Sequence, residues 1–185
     1  MKERFEDAPE SVTDLCRKVR REYFPELRNV AIKFLFDLKK SLHQGQVKIA
    51  CIMRPNDLLR HFASKEDTQY DGYDYILILD KACWDNVSEE DQERMLRHEL
   101  RHCWFDIESD KDPYKLVDHE ITDFYAEVEL NILDPKWRER LASLTMAIYS
   151  QRKDEAKDKR GGPSKIHAVP NLTKTPIEEF AERTI

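Results

Sequence analysis

"MLRHELRHC", residues 95–103, places His98 and His102 four positions apart, with Glu99 directly after the first histidine. The fold turns on whether these nine residues form a metal-bearing helix or an ordinary charged one. On a helix, His98 and His102 sit one above the other on one face. Their Cβ atoms are then about 6 Å apart, within reach of one tetrahedral Zn²⁺. Glu99 lies about 100° further round. That is too far to be a comfortable third ligand, yet close enough to touch water held at the metal, which is the geometry of a general base. The plainer alternative is a solvated face rich in Arg94, Arg97 and Arg101. In a chain with 6 histidines, chance gives roughly 0.02 occurrences of HExxH, and this favours the metal.

The flanking sequence supports a helix here. Ser88 is a good N-cap with Asp91 three residues on, and Glu89 and Glu90 suit the first turn. The helix is predicted to run to about Phe105, before the polar loop "ESDKDP" (108–113). A second helix is predicted over about 115–132, and the "DP" pair at 134–135 starts a third that runs to about residue 151. Upstream, Val12, Leu15, Cys16, Val19 and Tyr23 keep helical spacing from about Pro9 to Phe24, and Pro25 stops the run. Three strand-like stretches follow: "VAIKFLF" (30–36), "VKIACIM" (47–53) and "YDYILILD" (73–80). Between the last two, "PNDLLRHF" (55–62) reads as a turn into a short helix.

The predicted class is therefore α+β. An N-terminal helix precedes a small sheet of about three strands, then a zincin-like helical half carries HExxH, with helices on one face of the sheet. Residues 1–151 form the predicted domain. Residues 152–185 read as a flexible or loosely docked tail, with a capping box at Thr175-Pro176-Ile177-Glu178 for one short helix.

Composition narrows the function. The 185 residues are 37% charged and 40% apolar with a net charge of −6, so nucleic acid is not an expected partner. An apolar run near 18 residues is missing, so no membrane span is expected. "MKERFEDAPE" is acidic and polar, unlike a secretory signal. Cys16, Cys51, Cys83 and Cys103 are scattered without a CxxC pair and read as buried thiols in a reducing, cytoplasmic setting.

A hydrolytic zinc needs a third protein ligand and an open fourth position. Six residues after His102 stands Glu108, so the metzincin pattern is absent. The next segment, "DHEITDFYAEVE" (118–129), would carry His119, Asp123 and Glu127 on one helical face. His119 has the reach and the neutral imidazole that zinc favours. Asp123, one turn on, is placed to accept a hydrogen bond from a ligand imidazole and fix its tautomer. Glu120 and Glu127 are the alternative ligands. His43, His61 and His167 read as solvated, Trp84, Trp104 and Trp137 as packing anchors, and Tyr114 and Tyr125 as core.

A strand-rich beginning, then "RHELRHC" and one loop later "DHEITDF", resembles the phage metallopeptidases and, more broadly, the SprT-like and minigluzincin zinc proteases. The resemblance covers roughly residues 28–132, and the H-x-x-x-D-F continuation points to the phage type. It implies a zinc peptidase acting on a peptide or protein, with His98, His102 and His119 as ligands, Glu99 as base and Asp123 behind a ligand. The cysteine-rich zinc ribbon of many SprT-like proteins is missing, which argues against DNA-linked proteolysis. HExxH alone also fits a zinc hydrolase of another class, such as an amidase, or a non-catalytic module whose zinc staples two helices.

Overall fold

The computed structural model describes residues 3–158, apart from 44, 64–71, 107, 110–112 and 121–122. The chain opens with β1 (Phe5–Asp7) and turns at Pro9 into α1 (Glu10–Tyr23). Proline suits a helix start, where no N–H partner is required. Val12, Cys16 and Val19 form the buried stripe of α1, and Pro25 opens a single 3₁₀ turn, Pro25–Leu27. Then come β2 (Ile32–Asp37), β3 (Leu42–His43), β4 (Gln46–Val47) and β5 (Ala50–Met53). Asn56 caps α2 (Asp57–Phe62) by accepting the Leu59 N–H at 2.8 Å. Gly72, at φ +97°, leads toward β6 (Tyr75–Asp80), and a Cβ there would lie 2.6 Å from the Arg60 carbonyl oxygen, so only glycine fits. Asp80 caps α3 (Lys81–Trp84), and Ser88 caps α4 (Glu89–Arg101) through the Asp91 N–H at 3.2 Å. The remaining elements are β7 (Cys103–Phe105), β8 (Tyr114–Leu116), α5 (Tyr125–Leu130) and α6 (Trp137–Asp158).

The main sheet has the order β1-β2-β6-β5. The central strands β2 and β6 run parallel, and β1 and β5 are antiparallel edges. Register pairs Ile32 with Tyr75, Phe34 with Leu77 and Phe36 with Leu79. All six are buried, so one face of the sheet carries an unbroken apolar block. That block joins Val12, Cys16 and Val19 of α1, Met95, Leu96 and Leu100 of α4, and Leu141 of α6 in one core. Arg140 of α6 meets Asp91 of α4 at 2.8 Å and Asp134 at 2.6 Å, which fixes the start of α6 against α4.

The α+β class, the first helix, the short α2 and the three strand regions agree with expectation. Several details differ. β1 adds a fourth strand to the sheet; "FED" is too short and acidic to read as one, and Arg4 secures it by reaching Asp37 at 2.9 Å. The stretch 47–53 is two strands, because β4 turns back on β3 while β5 joins β6. α4 stops at Arg101 instead of Phe105, because Cys103–Phe105 pairs with Tyr114–Leu116. The Tyr75 hydroxyl shares its one proton between the carbonyls of Trp104 (3.0 Å) and Lys115 (2.7 Å), which ties this hairpin to the sheet. The helix predicted over 115–132 is consequently a strand, a loop and the six-residue α5.

Trp84 and Trp137 are buried as expected, whereas Trp104 is 55% exposed. Tyr125 is exposed as well, not core. α6 continues to Asp158, past residue 151. The expectations for 159–185, with the capping box at 175–178, lie outside the described residues. Among the described residues no helix is long and apolar enough to cross a membrane.

Leu77 is fully buried at the centre of the sheet. Leu77→Ala should lower the unfolding free energy by about 2–5 kcal/mol, seen as a lower urea midpoint with unchanged slope. An unchanged midpoint would contradict this packing.

Candidate metal centre

The helix α4 is unusual in burying polar side chains along with apolar ones. Met95, Leu96 and Leu100 face the core, while His98 is 2% exposed and Glu99 7%. His102 is the C-cap of α4 and keeps helical angles (φ −68°, ψ −19°), so it still stands one turn above His98. Their rings meet edge to face with centroids 5.4 Å apart. The β7–β8 hairpin then returns the chain to this spot. The Val117 N–H donates to the His102 carbonyl at 2.9 Å, and His102 Nδ1 lies 2.7 Å from the Val117 carbonyl oxygen. That carbonyl can only accept, so Nδ1 is the donating nitrogen, and Nε2 is the nitrogen available to a metal.

His119 follows two residues later. Its Nε2 is 3.2 Å from His98 Nε2, and its ring centroid is 4.7 Å from that of His102. The donor atoms of His98, His102 and His119 all lie within 4.8 Å of one another. Two nitrogens bound at about 2.0–2.1 Å to a tetrahedral zinc are about 3.3 Å apart. The spacing of His98 and His119 fits that ion. Burial, with His98 and His102 close by, pushes the His119 imidazole down to about 4, which keeps it neutral and able to ligate near pH 7. The Phe124 ring packs against all three imidazoles at 4.8–5.6 Å, and Trp137 stands 6.0 Å from His98.

Asp123 Oδ1 is 2.9 Å from His98 Nδ1. The contact has the distance of an ion pair without the alignment of a full hydrogen bond, and Nδ1 has no other partner. Burial alone would raise the Asp123 carboxyl, but the contact with His98 outweighs it and the net shift is downward. His119 and Asp123 therefore both reach His98, but from a loop. The one-face helical spacing expected for them does not exist, since no helix covers either residue.

The other acidic candidates are placed elsewhere. The Glu120 carboxylate accepts the Tyr125 N–H at 3.1 Å. Glu127 is fully buried and accepts from Arg97 Nε at 2.9 and 3.0 Å and from Arg101 Nε at 2.6 Å. Asn131 completes this group, accepting from Arg97 at 3.1 Å. Sequence reasoning missed this clamp by treating Arg97 and Arg101 as a solvated face. The available signal was the matching four-residue spacing of Arg97/Arg101 and of Glu127/Asn131. Among the described residues no fourth His, Cys, Asp or Glu joins the three histidines. Burial also pushes the Cys16 and Cys83 thiols up to about 12, far from the thiolate a metal binds.

A cavity of about 880 Å³ opens over the cluster, with His98, Glu99, His102 and His119 in its wall. Edge strand β5 borders it through Ala50, Cys51 and Ile52, and α6 lines it through Trp137, Arg138 and Ala142. Of the remaining expected solvated histidines, His43 is exposed at the cavity rim and His61 is exposed on α2. The site thus joins three imidazole donors, a neighbouring carboxylate and an open cleft.

With the geometry in place, comparison with known proteins adds one finding. The model of a family described as "Putative phage metallopeptidase" matches residues 3–149. No curated protein and no solved structure matches the chain.

His119 gives the metal-free protein a pH signature. Unfolded, it takes up a proton near 6.5; folded, it resists until about 4. The unfolded chain therefore binds more protons between these values, and stability falls as pH drops through that window. Denaturation of chelator-treated protein between pH 7 and 4.5 should show this loss, and His119→Gln should reduce it. An equal slope in the variant would contradict the shift.

Proposed function

From membership of the chain in the phage metallopeptidase family, we propose that it is a zinc-dependent peptidase with His98, His102 and His119 as ligands and Glu99 as general base. The observation that carries this is the three-histidine cluster, its donor atoms within 4.8 Å of one another, in the wall of an open cavity. Three nitrogen donors favour zinc over Mg²⁺ or Ca²⁺, which prefer oxygen. A bound Zn²⁺ supplies Lewis acidity, which acidifies water and polarises a carbonyl. Glu99 accepts the proton of the attacking water and returns it to the departing amine. Asp123 holds the His98 ring by its outer nitrogen, and the Val117 carbonyl does the same for His102.

The substrate is an extended peptide. β5 ends the sheet, pairs on one side with β6 and borders the cavity on the other. Its outer edge suits an added strand. A zinc staple would close the coordination with a fourth protein ligand, and the described residues offer none beside the three histidines. The four cysteines are all free, which supports a reducing, cytoplasmic setting.

Purified protein should carry close to one zinc per chain by elemental analysis. His119→Ala should lose zinc affinity sharply, while Asp123→Ala should cost about 10–100-fold in affinity or activity. Glu99→Gln should keep its zinc and its melting temperature, yet lose about 10²–10⁴-fold in peptide hydrolysis. Loss of zinc from Glu99→Gln would make Glu99 a ligand and end this mechanism. Full zinc with no hydrolysis of any peptide by the parent would end the peptidase assignment.

A further inference from the structure

Among the described residues Glu127 is the most deeply buried acidic side chain, and it stands outside the histidine cluster. Its Oε1 accepts from Arg97 Nε at 3.0 Å and Arg101 Nε at 2.6 Å. Its Oε2 accepts from Arg97 Nε at 2.9 Å and Asn131 Nδ2 at 3.2 Å. Four contacts on two oxygens hold the carboxylate in one orientation. The two arginines directly precede His98 and His102 along α4 and its cap. Glu127 also ties down the opposite wall of the site. Its backbone N–H donates to the Phe124 carbonyl at 2.9 Å. The Phe124 ring packs on all three imidazoles, and its neighbour Asp123 reaches His98.

We propose that Glu127 is a positioning residue of the metal centre. It sets the imidazoles through Arg97 and Arg101 on one side and through Phe124 and Asp123 on the other. This rests on the reading that His98, His102 and His119 hold a metal ion. Apolar packing of α5 on α4 would stabilise the fold as well as a buried ion pair does, but apolar contact has no direction. Charge-assisted hydrogen bonds fix distance and angle together. Nitrogens that converge on one ion must be held to within about 0.5 Å, and a directional anchor on each side of them meets that demand. Glu127→Gln keeps the side-chain volume, yet it turns one acceptor oxygen into an N–H donor facing arginine N–H groups or the Asn131 amide. The clamp would then have to shift, and the histidines with it.

Metal binding by the full-length, chelator-treated protein tests this, well below the melting temperature of each variant. Zn²⁺ affinity is read by competition with a chromophoric chelator, and site geometry by the visible absorption of bound Co²⁺. Glu127→Gln should weaken Zn²⁺ by about 10–100-fold, the scale for loss of a partner behind a ligand, and should shift the Co²⁺ bands. Arg101→Gln removes one contact from a side chain that is 20% exposed and leaves Arg97 in place, so it gives a milder form of both effects should Glu127→Gln not fold. Val12→Ala, fully buried at the end of α1 far from Tyr23, is the control for lost stability. It should melt lower and keep parent affinity and bands. Parent-like affinity and bands in the clamp variants, with only the melting temperature lowered, would make the clamp purely structural and overturn the proposal. An equal loss of affinity in Val12→Ala would overturn it too. A parent that takes up neither ion would end the metal reading itself, and this proposal with it.

Discussion

The helical half of the molecule is organised by one constraint, the burial of Arg97-His98-Glu99 inside α4. A buried polar group without a partner costs more than most single contacts gain. Each of the surrounding irregular segments brings such a partner. α5 presents Glu127 and Asn131 to Arg97, the loop before it presents Asp123 and His119 to His98, and the β7–β8 hairpin delivers the Val117 carbonyl to His102. Glu99 is left facing the cavity. The architecture beyond residue 102 is, in this sense, a set of answers to the polarity of one helix.

A buried ion pair adds little net stability compared with apolar packing, although breaking one is costly. Its value here is registry. Arg97 immediately precedes His98, and Arg101 precedes His102, so two parallel rows run along α4 about 100° apart. One row grips Glu127, and the other forms the histidine cluster. Turning α4 about its axis, or sliding it one residue along, would release both rows together. The clamp thus fixes the angle at which the imidazoles are offered, and it anchors α5 close behind Asp123 and Phe124. The cation–π contacts of Arg97 with Tyr23 and of Arg101 with Phe24 extend the same row to α1.

Local patterns in the sequence carried much of the fold. Val12-Cys16-Val19, the alternation within 30–36 and the Ser88 cap each depend on neighbours a few residues apart, and each appears where it was predicted. What local pattern could not convey was long-range pairing. "CWF" and "YKL" look like helix continuation until they are set side by side, and Tyr75, nearly thirty residues upstream, is what secures their hairpin. The same event moved His119 and Asp123 from a helix to a loop. His119 nevertheless stands with the HExxH histidines, and Asp123 stands at His98, because the sequence distance and residue chemistry were informative even where the secondary structure was not. Glu127 shows the converse: its helix exists, yet Arg97 and Arg101 hold its carboxylate, a partnership that no spacing within 118–129 reveals.

The cluster also says something about how the fold and an ion share the work. Zinc-finger domains have no assembled site until metal arrives, so binding and folding are one event. In this chain His98 is set by α4, His102 by its cap and the Val117 carbonyl, and His119 by a strand-anchored loop, all of which rest on a core of apolar side chains. The Nε2 atoms of His98 and His119, 3.2 Å apart, are already at ligand spacing. Apart from that one Nε2–Nε2 contact, the three rings touch one another only through weak ring contacts. A cation there would supply an attraction that the rings lack by themselves. A metal bound there would therefore add its binding free energy to a fold that already stands, and little of that energy would go into reorganising the chain.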